Sequence, residues 1–221
     1  MPKNKEDVVG KIQKIIDSHP TIRNDMSYGL INVRKLAKYI IKEYRVNASL
    51  DAVISAIRRY DPGPAILIYE NAQKMITRAT TMSTRNPIVS IDMSKDPKIQ
   101  QLLPQLFSII HYQRGEILRI FQAEESIKIL IDQKNLEKIK KIIPKDKIIE
   151  ITTNLAEINI HMDPRVKYTP GTTAVIANAL AMNNINIREL MSCGFESIWY
   201  IEEKNLVAAY RVIHQTIHQT L

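Results

Sequence analysis

The chain has 221 residues, of which 45% are hydrophobic and 24% charged, and its net charge is +8. This balance is typical of globular proteins, and no apolar run approaches the ~18 residues that a membrane-spanning helix needs. The first residues, MPKNKEDVV, lack the apolar centre of a signal peptide, and the single cysteine, Cys193, excludes an internal disulfide, so we expect a cytoplasmic protein.

The positive charge is concentrated in the first part of the chain. Residues 1–86 contain fifteen Lys and Arg against eight Asp and Glu, whereas residues 87–221 contain sixteen against fifteen. Such asymmetry indicates either that the first part contacts a polyanion such as nucleic acid, or that it carries a solvated basic surface.

Residues 1–63 show three amphipathic helical patterns. Apolar residues recur at helical spacing in each of them, and Asn32 and Ser49 are typical N-caps for the second and third helices. The stretch TIRNDMSYG between the first and second helices is turn-like. Residues 1–63 are therefore predicted to form a helical domain. Residues 64–86, Thr-rich towards their end, are predicted to be a connector or a wing.

The segment INVRKLAKYIIKEYRVNASLDAVISAIRRY resembles the helix-turn-helix of winged-helix regulators. That resemblance implies that the third helix enters the major groove of double-stranded DNA. The groove-facing positions would be Asn47, Ser49, Ala52 and Ser55, and the phosphate contacts would be Arg34, Lys35, Lys38, Arg58 and Arg59. A helical module that docks on another protein has the same periodicity, so this alternative stays open.

From residue 87 onwards the pattern changes to short strands alternating with helices. Strands are predicted at 88–93, 117–121, 126–131 and 147–152, with helices after Pro97 and at 136–143. The order recurs with strands at 157–162, 185–191 and 197–202 and helices at 171–182 and 206–218. The fold class is therefore α+β, with two tandem ferredoxin-like βαββαβ units at 87–153 and 154–221. The second unit lacks a closing strand, which we expect from residues 147–152 or from a partner chain.

The second unit contains the segment MDPRVKYTPGTTAVIANALAMNNINIRELMSCGFESIWYIEEKNLVAAYRVIHQ. In it a Thr-Pro-Gly turn precedes the first helix, an Asn-Asn-Ile-Asn stretch follows that helix, and a hairpin precedes the second helix. Together these features resemble the ACT domains of aspartate kinases and related amino-acid-regulated proteins. The first unit shares the layout but has no Pro-Gly turn.

The Thr-Pro-Gly turn is the candidate ligand site. Unpaired amides and the positive end of the helix dipole meet at a helix start, and a glycine there lets a carboxylate approach the backbone. The resemblance implies a small ligand, often an amino acid, beside the turn and the strand after the helix. The binding residues would then be Tyr168, Thr169, Pro170, Gly171, Thr172, Asn184, Ile185 and Asn186. A turn that only caps the helix is the alternative.

No catalytic or metal-binding pattern is present in the sequence. His214 and His218 lie four residues apart without a third ligand nearby, and Cys193 has no identifiable base partner. We therefore expect no enzyme activity, no cofactor and no metal. The leading hypothesis is a homodimeric or larger transcription regulator that responds to an amino acid. The alternative is a stand-alone regulatory subunit that binds an amino acid and controls a metabolic enzyme through protein contacts.

Overall fold

The structure, a computed structural model, describes residues 7–63, 65–79 and 81–218. The chain divides into two compact units, residues 1–71 and residues 72–221, and the division falls inside the helix Ala65–Ile76. Within the described ranges, no helix combines the length and the apolar character needed to cross a membrane.

The first unit is helical throughout the residues that are described. Its helices are α1 (Val8–Asp17), α2 (Pro20–Ser27), α3 (Val33–Glu43) and α4 (Leu50–Arg58), followed by α5 (Ala65–Ile76), which continues into the second unit. Apolar residues at helical spacing on α1, α3 and α4 form one core, which includes Ile12, Ile16, Ile40, Val53 and Ile57.

Side-chain caps fix the starts of α3 and α4, as the sequence predicts. Asn32 accepts a hydrogen bond from the amide of Lys35 at 3.0 Å, and Ser49 accepts one from the amide of Ala52 at 3.2 Å. The prediction that TIRNDMSYG is turn-like was wrong, because most of this stretch lies in the helix α2, with Pro20 in its first turn. Because the apolar periodicity of α2 is weak, none of its residues is fully buried.

The stretch 64–86, predicted as a connector or wing, is divided between two elements. Its first part forms α5, and its last part forms the start of the strand β1 (Thr81–Ser94), which belongs to the sheet of the second unit. No strand occurs at 7–63 or 65–71, so the described part of the first unit contains no wing hairpin.

The second unit is built on one antiparallel sheet. After β1 follow α6 (Pro97–Ile109), β2 (Leu118–Gln122), β3 (Ser126–Asp132), α7 (Leu136–Ile142), β4 (Ile148–His161), α8 (Thr172–Met182), β5 (Ile187–Cys193), β6 (Glu196–Glu202) and α9 (Leu206–His218). Among the described residues the sheet has six strands in the order β2-β3-β1-β4-β6-β5.

The two central strands, β1 and β4, each contribute to both halves of this sheet. The first half-sheet consists of β2, β3, residues 88–94 of β1 and residues 148–152 of β4. The second half-sheet consists of β5, β6, residues 155–161 of β4 and residues 81–85 of β1. The strands predicted separately at 147–152 and 157–162 are therefore one strand. The strand that closes the second half is residues 81–85, whereas residues 147–152 or a partner chain were expected to supply it.

Both central strands are irregular near their middle. In β4 the irregular residue is Asn154, which has a φ of +56°, a conformation that asparagine tolerates better than most residues. In β1 the pairing with β4 shifts register between Arg85 and Ile88. Irregularities of this kind bend a strand and increase its twist, so the two half-sheets are set at an angle to each other.

The two faces of the sheet carry different apolar clusters. In the first half-sheet α6 and α7 cover a face that includes Val89, Ile91, Met93, Ile127 and Ile129. On the opposite face a second cluster joins residues from both half-sheets: Ile88, Ile117, Leu130, Leu155, Ile198 and Tyr200. The half-sheets therefore pack against each other through this second, inner face.

Charged side chains on the inner face connect strands that are far apart in the sheet order. Arg119 of β2 donates to both carboxylate oxygens of Glu157 in β4 at 2.9 Å and to the hydroxyl of Tyr200 in β6 at 3.0 Å. Lys128 of β3 pairs with Glu189 of β5 and, at 3.3 Å, with Asp92 of β1. We call these groups the two cross-sheet clusters.

The cross-sheet clusters show that the sheet is rolled. In a flat sheet, strands spaced ~4.8 Å apart would place β3 and β5 about 19 Å from each other, too far for a lysine and a glutamate to meet. The rolling brings the edge strands β2 and β5 to face each other across a groove of about 510 Å³ that residues of both strands line.

Candidate functional site

The start of α8 has no side-chain cap among the residues that the structure describes. Gly171 is its N-cap, with a φ of +89°, a conformation that other L-residues adopt only with strain. Since glycine has no side chain, it cannot cap the helix itself. The first-turn amides and the positive end of the helix dipole therefore point into the space in front of the turn.

The loop before this turn is fixed by its own ion pair. Residues 164–168 form a short 3-10 segment, and Asp163 accepts a hydrogen bond from the amide of Arg165 at 2.9 Å. The guanidinium of Arg165 also donates to both oxygens of Asp163, at 2.8 and 2.5 Å. These hydrogen bonds hold the pKa of Asp163 well below its ordinary value. The guanidinium of Arg165 therefore already forms an ion pair within the loop.

A cavity of about 600 Å³ lies between this loop, the first turn of α8 and the hairpin that joins β5 to β6. Its volume is within the range of small-molecule sites in proteins, roughly 300–1,000 Å³. It is lined by Met162, Val166, Lys167, Thr169, Gly171, Thr172, Thr173, Ala174, Ile176, Ser192, Gly194, Phe195, Glu196 and Ser197.

Two side-chain contacts define the side of the cavity formed by the hairpin. The ammonium of Lys167 lies 4.7 Å from the centroid of the Phe195 ring, a cation–π contact between loop and hairpin. The carboxylate of Glu196 accepts a hydrogen bond from the amide of Asn159 at 2.7 Å. The cavity is therefore bounded by the loop before α8 and by the β5–β6 hairpin, and a ligand inside it could contact both.

The structure brings together only part of the predicted ligand site. Thr169, Gly171 and Thr172 line the cavity, whereas Tyr168 and Pro170 are exposed beside it and do not. The other three predicted residues, Asn184, Ile185 and Asn186, follow the opposite end of α8. A helix of eleven residues separates these two groups by about 16 Å, at ~1.5 Å per residue.

Sequence reasoning missed the contribution of the β5–β6 hairpin. Phe195 and Ser192 line the cavity although they lie more than twenty residues after the Pro-Gly turn. The sequence CGFE indicates a turn, but not which other loop it faces. That juxtaposition arises from the pairing of β4 with β6, in which His161 lies opposite Glu196.

The corresponding helix start in the first half-sheet is occupied by the chain itself. Asp96 caps α6 by accepting from the amide of Ile99 at 3.0 Å, and its carboxylate pairs with Lys147 at 2.5 Å. The hydrogen bonds from Lys147 and Ile99 lower the pKa of Asp96. A carboxylate of the protein thus fills the position that is open at α8.

The residues predicted to contact DNA are all exposed on α3, α4 and the residues beside α4. They are Arg34, Lys35, Lys38, Asn47, Ser49, Ala52, Ser55, Arg58 and Arg59. None of the five cations forms an ion pair with any described residue. The hydroxyl of Ser49 is already used as a helix cap, and Arg59 donates to the carbonyl of Ser55 at 3.2 Å.

No group of three or more potential metal ligands occurs within the described residues. The rings of His214 and His218 lie 4.2 Å apart on an exposed face of α9.

No protein-family model matches the sequence, and no curated protein does. Solved structures do resemble the fold. The Clostridium acetobutylicum aspartate kinase is 21% identical, with a TM-score of 0.50 over 63% of this chain and 35% of that chain. The α and β subunits of an aspartokinase are 16% identical, with a TM-score of 0.51 over 64% and 99%. The ligand-free regulatory subunit of the Thermus thermophilus enzyme is 15% identical, with a TM-score of 0.51 over 64% and 99%.

The matched part of this chain therefore spans about a third of the whole Clostridium kinase but nearly all of the Thermus regulatory subunit. At these identities the likeness concerns the fold. The mixed α/β architecture with a six-stranded antiparallel sheet matches these structures, and it supports the ACT-domain resemblance seen in the sequence.

Proposed function

We propose that this chain is a cytoplasmic regulatory protein that senses an amino acid in the cavity beside Gly171 and has no catalytic activity of its own. One observation carries the proposal: an uncapped helix start opens into a cavity of about 600 Å³. A ligand carboxylate placed there accepts hydrogen bonds from backbone amides and gains from the helix dipole. A fold shared with a regulatory subunit of aspartate kinase supports the same role.

The arrangement of the cavity suggests how binding is transmitted. Its walls belong to the loop before α8 and to the β5–β6 hairpin, which Lys167 and Phe195 already connect. A ligand shifts a conformational equilibrium only by binding one arrangement more tightly than another. A ligand that contacts both segments provides this difference in affinity. If the distance between the loop and the hairpin changes, the ligand loses its contacts with one of them.

The test is a thermal-shift and calorimetric screen of the natural amino acids with the full chain. A ligand present at a hundred times its Kd stabilises the folded protein by about 2.7 kcal/mol. A Thr173→Trp variant fills the cavity from the second position of α8 and is expected to abolish the response. Thr21→Trp is the matched control, because Thr21 is also exposed at the second position of a helix, in the first unit. A full response in Thr173→Trp would refute this site.

For the output of the protein we propose binding to double-stranded DNA through the first unit. In this proposal α3 and α4 act as a helix-turn-helix without a wing hairpin in the described part of the first unit, and the two half-sheets are tandem ACT-like units that pair subunits into a homodimer. The exposed cations of α3 and α4, free of ion pairs with described residues, support it. Phosphate contacts need cations that are not already neutralised.

The DNA proposal predicts strongly salt-dependent binding. Replacing Arg34, Lys35 and Lys38 with alanine should lower the slope of log K against log salt by about 2–3, at ~0.9 per lost phosphate contact. Alanine at the exposed Lys98, Lys141 and Lys145 of the second unit is the matched control and should leave the slope unchanged. Absence of duplex binding, with co-purification of a metabolic enzyme, would favour a regulatory subunit instead.

A further inference from the structure

The helix α9 carries an exposed row of aliphatic, aromatic and imidazole side chains. Four of its exposed positions follow one another at intervals of three or four residues: Val207, Tyr210, His214 and His218. Such intervals place residues one above another on a helix, so the four side chains form a single row. The row contains no lysine, arginine, aspartate or glutamate, whereas an exposed helix face in a globular protein usually carries such charges. The row therefore differs from an ordinary solvated surface.

Ring contacts within the row bring its two imidazoles together. The rings of His214 and His218 have their centroids 4.2 Å apart, and the ring of Tyr210 stacks on that of His214 with a centroid distance of 6.0 Å. No hydrogen bond or ion pair joins either imidazole to another residue in the described part of the chain. Within that part, their ring nitrogens are therefore available to a ligand that needs two neighbouring nitrogen donors.

A transition-metal ion is the ligand that fits two imidazoles at this spacing. Histidines four residues apart on a helix share one face, and zinc-binding helices use this spacing to place two nitrogens on one ion. Nitrogens at ~2.1 Å from a tetrahedral ion are about 3.3 Å from each other. Exposed imidazoles can reach this separation by rotating about their side-chain torsions. Imidazole donors favour Cu(II), Ni(II) or Zn(II), whereas Ca(II) and Mg(II) prefer oxygen ligands.

Two imidazoles supply half of a four-coordinate shell. Among the residues that the structure describes, no third histidine, cysteine, aspartate or glutamate joins the pair. A second copy of the chain presents the same pair, and a twofold axis through the ion would bring the two pairs together. Arg211 is the one residue of α9 with a charged guanidinium, ammonium or carboxylate group, and it is exposed outside the row, where its long side chain can extend into solvent. A second helix can therefore approach the row without burying an unpaired charge.

We propose that His214 and His218 form half of a four-imidazole site for Cu(II), Ni(II) or Zn(II), which the same pair from a second copy completes. The ion joins two copies through α9. Copper should bind most tightly, because affinity at nitrogen sites rises to Cu(II) along the first-row divalent ions and falls again at Zn(II). The site shares no residue with the cavity beside Gly171, so it does not depend on the amino-acid ligand proposed above.

The experiment is calorimetric titration of the full chain with Cu(II), Ni(II), Zn(II) or Mg(II) salts, after preparation without a histidine tag and removal of metal by a chelator. Saturation at one transition-metal ion per two chains supports the proposal, and the electron paramagnetic resonance spectrum of the copper form should then show four nitrogen ligands. Saturation at one ion per chain indicates a chelate on a single copy and overturns the proposal. Absence of binding, or equal binding of Mg(II), overturns it as well.

A pair of histidine variants tests the ligands directly. His214→Ala should weaken copper binding about a hundredfold, the lower end of what a second linked binding group contributes. It should keep the fold, because the position is exposed and alanine favours a helix. His111→Ala is the matched control, because His111 is also exposed in the second unit but lies between α6 and β2. Unchanged affinity and stoichiometry in His214→Ala would rule out this site, whichever residues hold the ion instead.

Discussion

Single residues decide whether the two comparable helix starts of the second unit are open. Asp96 fills the start of α6 with its own carboxylate, and Lys147 holds that carboxylate in place. At α8 a glycine stands in the N-cap position, and no side chain of the described ranges caps the first-turn amides. The difference of one side chain therefore leaves one helix start capped by the protein and makes the other the candidate binding site.

Another residue with a decisive local role is Glu116, a buried carboxylate. Hydrogen bonds from the amide of His111 and the side chains of Lys134 and Asn135 lower the pKa of Glu116 from its ordinary 4.5 to about 2. The folded state thus binds this proton more weakly than the unfolded state, so the carboxylate stabilises the fold above pH 4.5. That stabilisation is lost as the pH falls from 4.5 towards 2.

Glu116→Gln should therefore lower the unfolding midpoint at pH 7, and the difference from wild type should shrink between pH 4.5 and 2. Urea denaturation of both proteins over this pH range measures the difference in unfolding midpoint. Glu137→Gln, an exposed residue on α7, is the control and should show a small, nearly constant difference. A Glu116→Gln difference that persists undiminished at pH 2 would contradict the assignment.

At the residue level, the sequence predicted those lining residues of the candidate cavity that are local in the chain. Gly171 and its neighbours follow from the Pro-Gly turn, because a positive φ before a helix is a local requirement. Phe195 and Met162 could not be found in this way, since their position depends on strand pairing. Asn184 and Asn186 were placed with the turn although α8 holds the two groups apart.

At the level of strands, the cross-sheet clusters hold the rolled sheet. Glu157 is 3% exposed, and its carboxylate is the only acceptor on the described residues for the Nε and Nη2 donors of Arg119 besides Tyr200. Burial and the neighbouring carboxylate raise the pKa of Tyr200, which keeps its hydroxyl protonated as a donor. Removing Glu157 would leave a guanidinium without its counter-charge.

Glu157→Ala should lower the free energy of unfolding by about 3 kcal/mol, because one partner of a largely buried ion pair is left uncompensated. Glu150→Ala, at an exposed position of the same strand, should change it by less than ~0.5 kcal/mol. The double variant Arg119→Met, Glu157→Leu should recover most of the loss. Chemical denaturation measures all three, and equal effects at Glu150 and Glu157 would contradict the role of the cluster.

Elements with regular periodicity were predicted, and those whose identity depends on a distant partner were not. Strands such as β3 and β6 and the helices α3, α4 and α8 follow from their apolar spacing. Residues 81–85 (TMSTR) are mostly polar, and they are a strand only because β4 pairs with them. The continuity of β4 is likewise hidden, since Thr153 and Asn154 have the composition of a turn.

For the whole molecule, two compact units with separate cores imply two unfolding events. Trp199 is the only tryptophan and is fully buried in the second unit, so its fluorescence reports on that unit alone. Circular dichroism reports on both. We expect the two probes to give different denaturation midpoints, and an amino-acid ligand to raise the fluorescence midpoint selectively. Coincident midpoints that move together would show a single cooperative unit.

The exchange of strand segments between the half-sheets has a consequence for synthesis on the ribosome. Residues 81–85 are made early, but their partner, residues 157–161, emerges more than seventy residues later. Until then this segment is an unpaired strand edge, available to other nascent chains. A truncated polypeptide that ends near residue 153 would keep this edge unpaired, so we expect it to aggregate. A polypeptide that lacks only residues 1–71 retains residues 157–161, so we do not expect it to aggregate.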